Sequence, residues 1–363
     1  MDFSEKLHVG WIGLGSMGLA MAANIQKHIQ QHPDAYPPLK YWNRTLSRGK
    51  PLEELGATAC PTIADLVQTC NVIFISVSDD TALTTLATTI QSSGPLSQKI
   101  IIDTTTVHPS TTTTISTSFA QKNASYISAP VFGATPVATA GQLLIAVAGP
   151  PDAISRVAPL LKGVLARRVL HVGDEASQAM LLKTTSNFVT AGLMTLLSEA
   201  HILAETSGLP SSTLESLIEE NFGAYALGVS QRLTSGSYLP TVGQAPASGL
   251  ELGIKDVGHG VAVARKKGVQ LRIGEMYLEA AGEARGYVEE RGRRADSSAV
   301  YGVLRQRAGL GFESEVVRRR DGEGKKEHVV YPNIIDAYAK PQPLIYISAT
   351  HLRQPFAPPL LPQ

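Results

Sequence analysis

The fold is decided by the stretch Gly13-Leu14-Gly15-Ser16-Met17-Gly18, which directly follows the apolar segment Leu7-His8-Val9-Gly10-Trp11-Ile12. Glycines at this spacing permit a tight turn after a strand, close approach of a pyrophosphate, and close packing of a helix on that strand. Residues 19–25 are mostly good helix formers, so the N–H groups at the helix start would face the anion. We predict that residues 13–18 bind the pyrophosphate of a dinucleotide, although this motif alone also fits a glycine-rich turn in another fold.

Apolar strands alternate with helical stretches through the first half of the chain. We predict strands at 7–12, 39–42, 72–77, 99–103, 126–129, 143–148 and 168–171, and helices at 62–69, 82–90, 109–122 and 153–165. Such alternation is typical of an α/β domain with a mostly parallel, doubly wound sheet. The sequence therefore predicts a Rossmann-type domain over residues 1–174.

The strand pattern stops near residue 176, and the chain then reads as helices separated by glycine- and proline-containing turns. We predict an all-α domain over residues 175–312. Its most apolar segment, 188–204, contains Glu199 and His201 and is too short to cross a bilayer, so we interpret it as a buried helix. Residues 313–363 combine a basic run at 318–326 with several prolines, which favours a flexible tail over a nuclear-import or polyanion-binding signal.

Composition narrows the class of protein. The 363 residues are 43% hydrophobic and 17% charged, with a net charge of +1, so nothing favours a nucleic acid or a membrane as partner. Cys60 and Cys70 fit neither a disulfide framework nor a metal site. The first strand begins too early for a cleaved signal, so we expect a cytoplasmic protein with reduced thiols.

The end of the second predicted strand indicates which dinucleotide binds. Sites for NAD usually carry a carboxylate there, but this strand ends Trp42-Asn43-Arg44-Thr45. Arg44 offers a permanent planar charge that suits a 2′-phosphate, with Asn43 and Thr45 as further hydrogen-bonding groups. We therefore predict NADP(H) in preference to NAD(H), against the alternative that Arg44 is an ordinary surface arginine. Val77 and Ser78, after the strand at 72–77, complete this part of the predicted cofactor site.

At this point the chain resembles the β-hydroxyacid dehydrogenase family over about residues 7–312. That family includes 3-hydroxyisobutyrate dehydrogenase and the glyoxylate/succinic semialdehyde reductases. Five motifs carry the resemblance in order: 13–18 continued by 21–24, 103–109, 129–134 with Gly141, the helix with Lys183 and Asn187, and Lys255-Asp256. The resemblance implies binding of substrate by Phe132, Gly133 and Ala134, a position for Lys255 near the nicotinamide, and a homodimer or higher homo-oligomer.

Lys183 is the candidate general acid and base. Hydride transfer to or from a carbon that bears oxygen leaves a proton to be moved at that oxygen. Lys183 lies on an otherwise apolar helix, and an apolar setting lowers the pKa of a lysine. Asn187 lies one turn further on, where its amide could orient the substrate or hold Lys183. The alternative is a lysine that merely extends to solvent from an amphipathic helix.

Thr105 and Thr106 are the candidates for holding a substrate carboxylate, because they follow the strand at 99–103 at the sheet edge where ligands bind. A threonine-rich helix start is the alternative. Relatives have Ser-Gly-Gly where this chain has Phe132-Gly133-Ala134, and often a phenylalanine where it has Ser248, so the identity of the substrate stays open. For Lys255 and Asp256 a surface ion pair is an equal alternative.

Together these residues predict an NADP-dependent oxidoreductase that interconverts a small β-hydroxy acid with its semialdehyde or keto acid, without a metal. The sequence contains no HExxH and no GxSxG, so metalloprotease or acyl-transfer chemistry is not supported. Two alternatives remain: a non-catalytic regulator that binds NADPH, and an imine reductase, which usually lacks the lysine.

Overall fold

The glycine-rich stretch lies between a buried strand and a helix, as the sequence predicts. The computed structural model describes residues 6–322, in which β1 (Val9–Ile12) leads through Gly13 into α1 (Ser16–Gln31). Gly13 has a φ of +97°, and a Cβ at this position would lie 2.1 Å from the Ser76 carbonyl oxygen. The turn therefore requires glycine at position 13, both for its backbone conformation and for this close approach.

Strands and helices alternate as far as residue 173. The further strands are β2 (Lys40–Trp42), β3 (Thr58–Ala59), β4 (Val72–Ile75), β5 (Ile100–Asp103), β6 (Ser125–Ser128), β7 (Val131–Phe132), β8 (Leu143–Ala148) and β9 (Ala166–Gly173). The further helices are α2 (Lys50–Glu54), α3 (Ile63–Thr69), α4 (Asp80–Ser92), α5 (Pro109–Ala120), α6 (Thr135–Thr139) and α7 (Pro151–Leu161). Every predicted strand is present. The unpredicted elements β3, β7, α2 and α6 are too short to show a periodic pattern.

The sheet positions the glycine turn at a reversal of strand order. Its order is β3-β2-β1-β4-β5-β6-β8, and β8 also pairs with β7 and β9. Strands β1 to β6 pair with one another in parallel. Strands β6 and β7, which lie on either side of Pro130 in the sequence, both pair antiparallel with β8. The order reverses between β1 and β4, and open α/β sheets bind ligands at the carboxyl ends of the strands at such a point. The predicted Rossmann-type sheet is confirmed.

The second half of the described chain is helical, as predicted. It comprises α8 (Ala176–Thr206), α9 (Ser211–Thr234), α10 (Leu250–Lys266), α11 (Arg272–Glu289), α12 (Val300–Arg307) and α13 (Glu315–Gly322). The first turns of α8 belong to the sheet domain, because Ala176 and Met180 pack in one of its cores and Ala179 packs against β8. The rest of α8 belongs to a separate helical core. Within residues 6–322, none of the helices has the length and apolar composition needed to cross a membrane.

The interpretation of segment 188–204 as a buried helix holds for one side of the helix only. It lies within α8, where Leu196 is 62% exposed and Leu203 is 67% exposed. Apolar residues occur on both sides of the segment, but only one side faces the helical core, through residues such as Met194 and Leu197. An apolar stripe at a seven-residue step is therefore left on the opposite side of the helix.

The boundary of the predicted flexible tail also requires correction. Residues 315–322 form α13, in which Val317 is fully buried. Arg320, inside the predicted basic run, donates hydrogen bonds to the carbonyl oxygens of Gly236 and Leu239. The apolar and hydrogen-bonded contacts of α13 attach it to the helical core. Residues 323–363, with the rest of the basic run and the prolines, lie outside the described residues.

Candidate active site

The predicted site residues meet in one cleft of about 1570 Å³ between the carboxyl ends of the parallel strands and helices α8, α9 and α10. Every predicted residue except Thr45 lines it: Gly13, Leu14, Gly15, Ser16, Met17, Gly18, Asn43, Arg44, Val77, Ser78, Thr105, Thr106, Phe132, Gly133, Ala134, Lys183, Asn187 and Lys255. Thr45 instead precedes a short 3₁₀ helix, and its carbonyl accepts a hydrogen bond from Asn43 Nδ2. Residues distant in sequence therefore form one continuous site.

The end of the cleft at α1 fits a pyrophosphate. Gly15 is exposed, and apart from its immediate chain neighbours no described residue has an atom within 4 Å of the position that a Cβ on it would occupy. The first hydrogen bond of α1 runs from Leu19 N–H to the Gly15 carbonyl oxygen at 2.8 Å, so the N–H groups that precede Leu19 point out of the helix start. Open space in front of these donors is what a bound phosphate group requires.

Asn43 stabilises this turn through a side-chain hydrogen bond. Its Oδ1 accepts a hydrogen bond from Leu14 N–H at 2.9 Å, so the amide is bound to the turn itself. Arg44, the next residue, is exposed and lines the cleft at the end of β2. The two neighbours therefore differ in position: one holds the backbone of the turn, and the other presents a positive charge to the cleft.

Lys183 lies at the opposite end of the cleft. Its Nζ donates a hydrogen bond to the Val131 carbonyl oxygen at 2.9 Å and lies 4.8 Å from the centre of the Phe132 ring. Burial lowers the pKa of Lys183, and Lys255 lowers it further, whereas Asp256 raises it. The direction agrees with the prediction. The neutral amine therefore forms at a lower pH than for an exposed lysine.

A chain of polar contacts links α8, α10 and the loop after β5. Asn187 Nδ2 donates to Asp256 Oδ2 at 2.9 Å, and Asp256 Oδ1 forms an ion pair with Lys255 Nζ at 2.8 Å. Lys255 Nζ also donates to the Thr106 carbonyl oxygen. Asn187 thus binds Asp256 on α10, a partner that the sequence did not suggest. Lys255 and Asp256 were expected either to form an ion pair or to lie at the site. They form an ion pair with each other, and both line the cleft.

Thr105 differs from the predicted carboxylate contact. It is buried, its hydroxyl accepts a hydrogen bond from Val77 N–H at 3.1 Å, and the hydroxyl also hydrogen-bonds the Asp103 carboxylate. These two hydrogen bonds hold the Thr105 hydroxyl between Val77 and Asp103. Thr106 is half-buried and, of the two threonines, is the one with a side chain more accessible from the cleft.

Three contacts in this region could not be found by motif reading. Asp103 is fully buried, accepts a hydrogen bond from Tyr126 OH at 2.7 Å, and has its pKa raised by burial to about 6. His259 Nε2 on α10 lies 3.1 Å from Asp80 Oδ2 at the start of α4. Asp80 Oδ1 accepts a hydrogen bond from Thr111 Oγ1. The contact between His259 and Asp80 adds a second link between α10 and the sheet domain, and no local pattern indicates it.

Comparison with known proteins agrees with this geometry. Residues 8–173 match the model of the NAD binding domain of 6-phosphogluconate dehydrogenase. An NADH-dependent oxidoreductase of Aspergillus ustus is 27% identical over 311 residues, which cover 82% of this chain and 99% of that protein. Glyoxylate/succinic semialdehyde reductase 1 of Arabidopsis thaliana is 31% identical over 217 residues, 59% of this chain and 71% of that protein.

The fold is also that of solved dehydrogenase structures. The 3-hydroxyisobutyrate dehydrogenase of Mycobacterium tuberculosis superimposes with a TM-score of 0.69 at 19% identity, over 83% of this chain and 100% of that one. Fold and cleft together define an oxidoreductase that binds a nicotinamide dinucleotide and acts on CH–OH groups. The chain belongs to the β-hydroxyacid dehydrogenase family.

Proposed function

We propose that the protein uses NADP(H) to interconvert a small β-hydroxy acid with its semialdehyde or oxo acid, and that Lys183 is the general acid and base. The observation that carries this proposal is the placement of Lys183. Its amine lies in the same cleft as the glycine turn, is held by the Val131 carbonyl oxygen, and has its pKa lowered by burial. An amine that both gives and takes a proton suits a carbonyl oxygen that becomes a hydroxyl.

When bound, the reduced nicotinamide supplies the hydride that the carbonyl carbon accepts. In reduction, protonated Lys183 donates a proton from Nζ to the carbonyl oxygen, so that the hydride and this proton together give the alcohol. In oxidation, neutral Lys183 accepts the hydroxyl proton at Nζ. The Val131 carbonyl oxygen fixes the position of Nζ in both directions. Residues 13–18 would hold the pyrophosphate, and Thr106 would donate to the substrate carboxylate.

The preference for NADP(H) rests on Arg44. The strand that carries it ends without a carboxylate that would repel a 2′-phosphate. One relative is named as NADH-dependent, and a solved structure of the same fold holds NADP⁺, so the similarity does not decide the cofactor. The charge of Arg44 at the cleft is the feature that favours the phosphorylated dinucleotide.

We also infer that a second copy of this chain packs on the exposed side of α8. Leu196 and Leu203 are seven residues apart, so an antiparallel copy would place Leu196 against Leu203 in two symmetric contacts. Further exposed apolar side chains lie on or next to α9 and α11, two helices that contact α8: Leu209, Leu217, Phe222, Val269, Ile273 and Met276. At roughly 100 Å² each, these eight side chains approach the area of about 800 Å² that each partner buries in a stable interface.

The decisive experiment on the reaction is Lys183→Ala, assayed with glyoxylate, succinic semialdehyde and 3-hydroxyisobutyrate. We expect kcat to fall by about 10²-fold or more, while NADPH affinity, followed by fluorescence titration, changes little. Lys183→Arg is the matched control, because it keeps a charge but cannot release a proton at neutral pH. Turnover that survives in either variant would contradict the role of Lys183. Tight NADPH binding by the wild type without turnover of any substrate would favour a regulator instead.

A further inference from the structure

Phe132 forms one wall of the cleft directly beside Lys183. Its ring centre lies 4.8 Å from Lys183 Nζ, and the residue before it supplies the carbonyl oxygen that holds this nitrogen. The ring packs against the small buried side chains of Ala146, Ala148 and Ala179. Its position is therefore set by the sheet and by α8. Any substrate group next to the reacting oxygen meets an aromatic surface at this wall.

Two further cations that line the cleft already have partners. Lys255 forms an ion pair with Asp256, and Arg232 on α9 forms one with Asp296. Both cations line the cleft. A substrate with a single carboxylate can place its reacting oxygen at Lys183 and its carboxylate at Thr106 without breaking either pair. A second carboxylate that bound Lys255 or Arg232 would have to displace Asp256 or Asp296, and removing one partner from a half-buried pair is costly.

Three further apolar side chains line the cleft on α8, α9 and α10. Val189, Tyr225 and Leu252 line it and are 59%, 48% and 49% exposed. Tyr225 OH is hydrogen-bonded at 2.7 Å to Thr190 Oγ1, which follows Asn187 by about one turn of α8. Leu252 precedes Asp256 by one turn of α10, and the bond between Asn187 and Asp256 joins these turns. The polar contact at the reacting end is thus followed by apolar surface on both helices.

We propose that Phe132, Val189, Tyr225 and Leu252 form an apolar subsite beside Lys183. The preferred substrate is then a 3-hydroxy acid, or the corresponding semialdehyde, with a single carboxylate. It carries a branched aliphatic or aromatic group at C2, the carbon between the carboxylate and the reacting carbon. This proposal rests on the proposed function of the same site. Each methylene group buried in such a subsite raises affinity by about fourfold, so an isobutyl group gains on the order of 100-fold over hydrogen and the larger benzyl group gains at least as much.

The test uses 3-hydroxypropanoates that differ only in the group at C2: hydrogen, methyl, isobutyl, benzyl and carboxyethyl. We expect kcat/KM of the wild type for the isobutyl and benzyl compounds to exceed that for the unsubstituted compound by about 100-fold. The carboxyethyl group is larger than isobutyl by a single non-hydrogen atom and adds a charge, and we expect kcat/KM for this compound to fall at least about tenfold below that for the isobutyl compound. Phe132→Ser should lower the ratio of kcat/KM for the benzyl compound to that for the unsubstituted compound by about tenfold. Phe132→Leu, the matched apolar control, should largely keep this ratio.

A binding measurement separates this proposal from that of the reaction. Lys183→Ala loaded with NADP⁺ is titrated with the same five compounds in a calorimeter, where the affinity order should match the wild-type order of kcat/KM. Turnover by Lys183→Ala would overturn the role of Lys183 and leave the subsite to be judged by affinity. A wild type that prefers the unsubstituted or carboxyethyl compound, or a Phe132→Ser variant with an unchanged order, would overturn the subsite.

Discussion

At the scale of single residues, Asn43 and Arg44 show how neighbouring positions can act on the same ligand by different means. Asn43 accepts a hydrogen bond from Leu14 N–H and so shapes the turn that would receive the pyrophosphate, which NAD and NADP share. Arg44 is exposed at the cleft, where only the 2′-phosphate of NADP would meet its charge. Substitutions of these two residues should therefore differ in how they change the binding of NADPH and of NADH.

We expect Asn43→Ala to weaken NADPH and NADH by similar factors, and Arg44→Ala to weaken NADPH by about tenfold or more with little effect on NADH. Dissociation constants for both cofactors, measured by fluorescence titration on each variant, check this. Arg48, on the 3₁₀ helix that follows but not a cleft residue, serves as the control: Arg48→Ala should leave both constants near those of the wild type. Equal losses for the two cofactors in Arg44→Ala would remove the case for a 2′-phosphate contact.

At the scale of elements, the end of β5 is held by a buried carboxyl group. Asp103 accepts hydrogen bonds from Tyr126 OH and Thr105 N–H, yet burial raises its pKa to about 6 from the usual 3.8. The folded protein therefore binds this proton more tightly than the unfolded chain does. The stability that it contributes is fully present below about pH 4 and is lost as the pH rises through about 6.

Asp103→Asn removes this titration while keeping the shape of the side chain. We expect the free energy of unfolding of the wild type, relative to that of the variant, to fall by roughly 3 kcal/mol between pH 4 and pH 7, the equivalent of about two pKa units. Urea denaturation of both proteins at several pH values measures the difference. A constant difference across this range would mean that Asp103 titrates alike in the folded and unfolded states.

Helix α8 supplies the second prediction at this scale. If a second copy covers the exposed side of α8, Leu196→Glu would place two charges in the apolar contact and should dissociate the assembly. Light scattering coupled to size-exclusion chromatography should give an oligomer for the wild type and a monomer for the variant. Leu46→Glu is the matched control, since Leu46 is 41% exposed on the sheet domain, and it should stay oligomeric. A monomeric wild type would refute the interface.

At the scale of the whole molecule, the sequence predicted what local patterns encode. Alternating apolar strands and the glycine turn predicted a parallel, doubly wound sheet, and Lys183 was proposed from its apolar helix, its spacing to Asn187 and the family resemblance. The bond from Asn187 to Asp256 and the contact of Thr105 with Val77 depend on how distant segments pack, which periodicity does not report. The burial of segment 188–204 was misjudged because apolarity alone does not say which side of a helix faces the core.

The two halves of the cleft are also joined by the contact of His259 with Asp80. We expect His259→Ala to increase amide hydrogen exchange several-fold in α10 and in the loop 104–108. Without this contact, separating α10 from the sheet domain costs less free energy. Thr111→Ala removes another bond to the same Asp80 carboxylate but lies within the sheet domain, so it should leave α10 unchanged. Mass spectrometry of deuterated peptides measures both. Equal exchange in α10 for the two variants would contradict a link between the halves.

Helix α8 has one more consequence, for the ancestry of the chain. Its first turns fill a core of the sheet domain through Ala176 and Met180, and its later turns fill the helical core. A crossover between two related genes at residue 174 would therefore give each hybrid a core made from mismatched parents. Recombination is better tolerated where few contacts are broken. The two halves are thus expected to descend together as one heritable unit, with new specificities arising through point substitutions along the cleft.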